Sequence, residues 1–120
     1  MIKEFVIVSL ACFLAISAEE LYSSKYDNVD VDEILANPRL RNQYMNCYME
    51  RGPCLTGAAK FLRETFPEAL VTKCRKCTQK QKDFFEKVTV WYLEYEPETW
   101  KEIVEKTIRD SQNKGWSAAT

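Results

Sequence analysis

The 120-residue chain contains no histidine. That removes the usual general base, the usual partner of a nucleophilic serine or cysteine, and the side chain that most often changes charge near neutral pH. Glycine is scarce, with three residues, and neither a low-complexity stretch nor an internal repeat is present. One domain is therefore expected, not an array of repeats or a string of linkers. One-sided charge is missing too: 17 basic and 18 acidic residues leave a net charge of −1. Basic residues are scattered from Lys73 to Lys87 beside Phe84 and Phe85, but with a pI near 5.6 they do not make a nucleic-acid patch.

Long apolar runs are also absent apart from one, Phe5 to Ile16, which follows Lys3 and ends at Ser17 and Ala18. It is too short to span a bilayer. A charged start, an apolar stretch of this length and small residues at its end form the pattern of a secretory signal. Residues 1–18 are read as that signal and 19–120 as the mature domain. The expectation is a secreted, extracellular molecule that does not insert in membranes.

Five cysteines are present, and Cys12 goes with the signal. Cys47, Cys54, Cys74 and Cys77 remain, an even number in an oxidising compartment, so disulfides are expected. The sequence alone allows three connectivities. Cys47 with Cys54 and Cys74 with Cys77 are close enough to close local rings. In the chain-entropy picture such rings contribute about 2.5 and about 2 kcal/mol, against nearly ~4 kcal/mol for a long bridge from Cys47 to Cys77.

Reactive readings of the cysteines are weaker. Cys74-Arg75-Lys76-Cys77 is a CxxC beside two cations, which would favour a thiolate, but no convincing strand precedes it. Zinc is disfavoured because six residues separate Cys47 from Cys54 and no histidine is available. The carboxylates Asp30 and Asp32, and Glu94, Glu96 and Glu98, read as caps and solvated faces. No catalytic residue, metal or cofactor is nominated, and the chain is not read as an enzyme.

What the chain does have is helical periodicity, with about six amphipathic helices. Asp30 starts a short helix through Ala36; Asn37-Pro38 supplies a cap and an N1 proline for the next, to about Met49. Thr56 caps a third, expected to end near Pro67. Thr78-Gln79-Lys80-Gln81 is a capping box that opens a helix to about Tyr95. Glu96-Pro97-Glu98 starts a fifth, and a weaker sixth turn runs from Ile108 to Trp116. Aromatic residues are dense between Tyr44 and Trp100, which suits either a solid aromatic core or a pocket whose tyrosines meet water.

The segments Lys25-Tyr26-Asp27-Asn28, Val31-Asp32-Glu33-Ile34-Leu35, Arg51-Gly52-Pro53-Cys54 and Cys74-Arg75-Lys76-Cys77, with Cys47 and Gln81, closely resemble the insect chemosensory, or OS-D-like, proteins over roughly Tyr22 to Lys106. The resemblance implies an all-α fold of six amphipathic helices around an internal apolar channel, with disulfides between neighbours, Cys47 with Cys54 and Cys74 with Cys77. It also implies a channel for long-chain apolar compounds such as fatty acids, pheromone components and odorants. The family's channel tyrosine falls on Tyr44 and its tryptophan on Trp100. Their neighbours Ile34, Leu35, Leu40, Tyr48, Phe61, Leu62, Val88, Tyr92, Ile103 and Val104 complete the expected wall.

Three features depart from the family pattern. Nineteen residues separate Cys54 from Cys74 where eighteen are usual. Phe84 and Phe85 stand where small or polar residues are common, and Thr107 where tyrosine is frequent. The expected function is a monomeric carrier of a small apolar ligand, with a membrane receptor as a further partner. The alternatives are a secreted interaction or developmental factor whose core Phe84 and Phe85 fill, and, last, a CxxC redox protein.

Overall fold

A computed structural model describes residues 20–115, so the expected signal, Cys12 and Trp116 lie outside the described residues. Four of the five helices start where a side chain can accept from the free backbone N–H groups of the first turn. Asp30 accepts from Asp32 and Glu33 at the head of α1, Val31–Ala36. Asn37 accepts from Leu40 at the head of α2, Pro38–Tyr48, and Thr56 accepts from Ala59 at the head of α3, Gly57–Val71. The capping box expected at Thr78 is present, with both Thr78 and Gln81 engaged, and it opens α4, Gln79–Tyr95. Pro97 takes the first position of α5, Pro97–Lys114, and Gly115 ends it in the left-handed conformation.

Two boundaries differ from the sequence reading. Pro67 does not stop α3, which continues to Val71. A proline inside a helix removes one backbone hydrogen bond and costs about 3 kcal/mol in isolation. Here Phe66, Pro67 and Ala69 are buried, and that packing keeps the last turn helical. The expected sixth turn is the continuation of α5, so five helices and no strand occupy the described residues. Ile108 carries no breaker, and Ser111 bonds back to the Ile108 carbonyl.

The helices close a ring. α1 packs on α2, α2 on α3, α3 on α5, α5 on α4, and α4 back on α1, while no pair across the ring brings Cα atoms within 8 Å. Only side chains can occupy the middle. The buried cluster there is Val31, Leu35, Tyr48, Phe66, Tyr92, Trp100 and Ile103.

Both disulfides join neighbours, as the resemblance implies. Cys47 with Cys54 ties the end of α2 to the loop before α3, and Cys74 with Cys77 closes the turn between α3 and α4. At that turn Lys73 and Cys74 adopt positive φ, and the Cys74 N–H donates to the Ala69 carbonyl at 2.7 Å, ending α3.

Candidate functional site

Register decides which side chains reach the middle of the ring. On α2, Arg41, Tyr44, Met45 and Tyr48 fall at i, i+3, i+4 and i+7 and share one face. On α4, Phe84, Phe85, Val88 and Tyr92 fall at i, i+1, i+4 and i+8 and likewise share a face. With Val31, Ile34 and Leu35 of α1, Leu62 and Phe66 of α3, and Trp100 and Ile103 of α5, they line a narrow cavity of about 60 Å³. Arg41 is the one charged residue in that lining.

Phe66 is the hub of the aromatic walls. Its ring centroid stands 5.4 Å from Tyr48, 5.1 Å from Phe85 and 6.4 Å from Trp100. Trp100 stacks on Tyr92 at 6.3 Å, and Phe84 meets Phe85 edge to face at 5.7 Å. These separations are those of attractive aromatic pairs. An occupant therefore has to part rings that hold one another.

A second space of about 40 Å³ lies beside the first, lined by Tyr26, Val29, Ala58, Phe61 and Thr65 among others. Tyr44, Leu62, Phe84 and Phe85 line both and form the partition between them. The segment before α1 closes over this second space. Tyr26 packs on Phe61 at 5.2 Å, and a side chain at Gly57 would run into the Tyr26 hydroxyl. Asp27 accepts from Thr78 Oγ1 at 2.8 Å and from Gln81 Nε2 at 2.9 Å, and Gln81 Nε2 also donates to the Ser23 carbonyl at 2.9 Å.

The polar tips of the first cavity are unlike one another. Tyr48 is buried, and its hydroxyl lies 2.5 Å from Thr107 Oγ1, which itself donates to the Ile103 carbonyl at 2.7 Å. Since the threonine proton is spent on Ile103, Tyr48 is the donor of the shared bond. Burial pushes its pKa well up, the bond to Thr107 opposes this, and Asp110 adds to the rise. Tyr92 is pushed up to about 12, by burial first and the Glu96 charge second, with Arg41 opposing. Both tyrosines are neutral hydroxyls at any physiological pH.

Of the residues expected in the wall, Ile34, Leu35, Tyr44, Tyr48, Leu62, Val88, Tyr92, Trp100 and Ile103 line the first cavity, and Phe61 lines the second. Leu40 and Val104 line neither. Leu40 is half-buried in the first turn of α2, before the wall begins, and Val104 is half-buried against the core cluster. The expectation passed over Val31, Arg41, Met45 and Phe66 as lining. Phe66 lies one turn beyond the expected Leu62 on the same face of α3. Arg41 shares the stripe of Tyr44 and Tyr48, and a cation at an inward position was the signal that could have found it.

The disulfide of Cys74 and Cys77 sits at a turn outside both linings, and no strand leads into it among the described residues. No described helix is long and apolar enough to cross a membrane.

A sequence model described as the insect pheromone-binding family, A10/OS-D, matches residues 22–115. Ejaculatory bulb-specific protein 3 of Drosophila melanogaster is 40% identical over 106 residues, 88% of this chain and 81% of the relative. A chemosensory protein solved in complex with bromo-dodecanol superposes with a TM-score of 0.69 at 40% identity, covering 75% of this chain and 89% of that one. The antennal chemosensory protein A6 of the moth Mamestra brassicae gives a TM-score of 0.59 at 34% identity, over 82% of this chain and all of that one.

Proposed function

The chain belongs to the insect pheromone-binding family A10/OS-D, and from that premise we propose that it is a secreted carrier which solubilises small apolar ligands of long-chain fatty-acid, pheromone or odorant type. The observation that carries the reading is the closed ring of helices whose interior is walled almost entirely by apolar and aromatic side chains. A similar protein holds bromo-dodecanol, which supports an alkyl chain as the occupant. Export, with loss of residues 1–18, rests on the apolar run Phe5 to Ile16.

Magnitudes agree with a reversible carrier. Burying about a dozen methylenes at about 0.8 kcal/mol each yields roughly 10 kcal/mol. Association offsets at least about 4 kcal/mol of that, which leaves affinities around micromolar. Entry turns Phe84 and Phe85 aside or spreads the helices they stand on. A greasy wall discriminates single methylenes weakly, so binding along the tail is broad. With no histidine to titrate, release is by simple dissociation or through carboxylates that respond at lower pH.

The test is displacement of a fluorescent apolar probe by long-chain alcohols and acids from folded protein. Saturable, competitive displacement at one site per chain is expected. Its absence overturns the reading and leaves the solid-core interaction factor in its place.

A further inference from the structure

We propose that Arg41 receives the polar head of the ligand and makes the cavity prefer a long-chain carboxylate over the corresponding alcohol, an inference that rests on the carrier reading above. The residue sits where the end of α1, the start of α2 and the end of α4 meet. Nη1 donates to the Leu35 carbonyl at 2.6 Å, and the guanidinium carbon lies 4.1 Å from the centroid of the Trp91 ring. These contacts fix the group in place.

They use only part of its capacity. A guanidinium carries five N–H donors and cannot shed its charge. Nε is buried and has no hydrogen-bond partner, the single such side-chain nitrogen or oxygen among the described residues. The nearest carboxylate, Glu96, stands 3.7 Å from Nε, an ion pair too long to be a hydrogen bond. The two partners are also unequally held: the Arg41 side chain is 15% exposed and that of Glu96 41%.

A structural role for Arg41 is visible, since the Leu35 carbonyl is one of the unpaired acceptors at the end of α1. That role uses one donor and does not account for a cation on the inward stripe of α2, in a lining otherwise free of charge. A carboxylate at the end of an alkyl chain accounts for both. Its two oxygens match the planar fork, and Glu96 retreats to water when it arrives. An alcohol offers one neutral oxygen. Tyr92, which feels both charges and stays protonated, adds no negative charge to repel the head.

The test compares dodecanoate with dodecanol at neutral pH by displacement of a fluorescent apolar probe, using the full mature chain and its Arg41→Met, Arg41→Lys and Glu96→Gln variants. The parent is expected to bind the acid about tenfold more tightly than the alcohol, the difference between a charge-assisted and a neutral hydrogen bond. Arg41→Met removes the preference by weakening the acid alone, and Arg41→Lys retains part of it. Glu96→Gln strengthens the acid severalfold and leaves the alcohol unchanged. Because Glu96 is exposed and its side chain makes no cap hydrogen bond, that variant carries the test should Arg41→Met fail to fold. Equal affinities in the parent, or an Arg41→Met variant that weakens both ligands alike, overturn the proposal while dodecanol binding leaves the carrier reading standing. Failure of both ligands to displace the probe overturns the two together.

Discussion

At the start of α4, Asp27 accepts hydrogen bonds from both Thr78 and Gln81, whereas at its far end Arg41 holds Glu96 at 3.7 Å and leaves Nε unpartnered. The first end is saturated: every polar group named there is matched, and Tyr26 lies over Phe61 as a cover. The second end has binding capacity to spare. The contrast separates a part of the molecule built to stay closed from one able to take up a partner.

Breaking the saturated end should have the largest effect on stability. Asp27→Ala removes the acceptor of two hydrogen bonds made to a charged, half-buried group, and is expected to cost about 3 kcal/mol in urea unfolding. If the loss is near zero, the segment before α1 is not the clamp described.

The next effect belongs to the other end. Tyr92 is held up to about 12, so the folded chain keeps a proton that the unfolded chain releases near pH ~10. Its contribution is complete below about pH 10 and is lost as pH rises towards about 12, amounting to about 2 kcal/mol. Unfolding midpoints across that window should fall less steeply for Tyr92→Phe than for the parent. Identical slopes would mean that the cavity wall is wet around this hydroxyl.

Tyr48→Phe should cost about 1 kcal/mol, because Thr107 loses a donor but keeps its own bond to Ile103. Smallest of all, Arg41→Met should change stability by less than about 1 kcal/mol, since relief of a desolvated charge offsets the lost bond to the Leu35 carbonyl and the lost stacking on Trp91. A large loss there would make Arg41 part of the scaffold and erase the contrast.

Local signals in the sequence carried most of the fold. The caps at Asp30, Asn37, Thr56 and Thr78 act within one turn of themselves, so they mark helix starts without any knowledge of tertiary structure. Ends were harder to read. Pro67 is a breaker by local rules, and only the packing of its neighbours, set by distant parts of the chain, keeps α3 going. The same distance hid the second cavity, because Asp27 and Gln81 are 54 positions apart and nothing local pairs them.

Within the candidate site, apolar periodicity located most of the wall and passed over Arg41, since a search for greasy stripes skips the charged member of one. The family resemblance drew attention to Phe84 and Phe85. It took the ring of helices to make them a partition between two spaces.

The central claim is that an alkyl chain occupies the middle of the ring. A crystal structure of the chain with bromo-dodecanol tests it most directly, because bromine can be located by its anomalous scattering. The account predicts alkyl density running along Phe66 and Trp100, with Phe84 and Phe85 displaced. Bromine found only on the outer surface, with the rings around Phe66 still closed on one another, would contradict it.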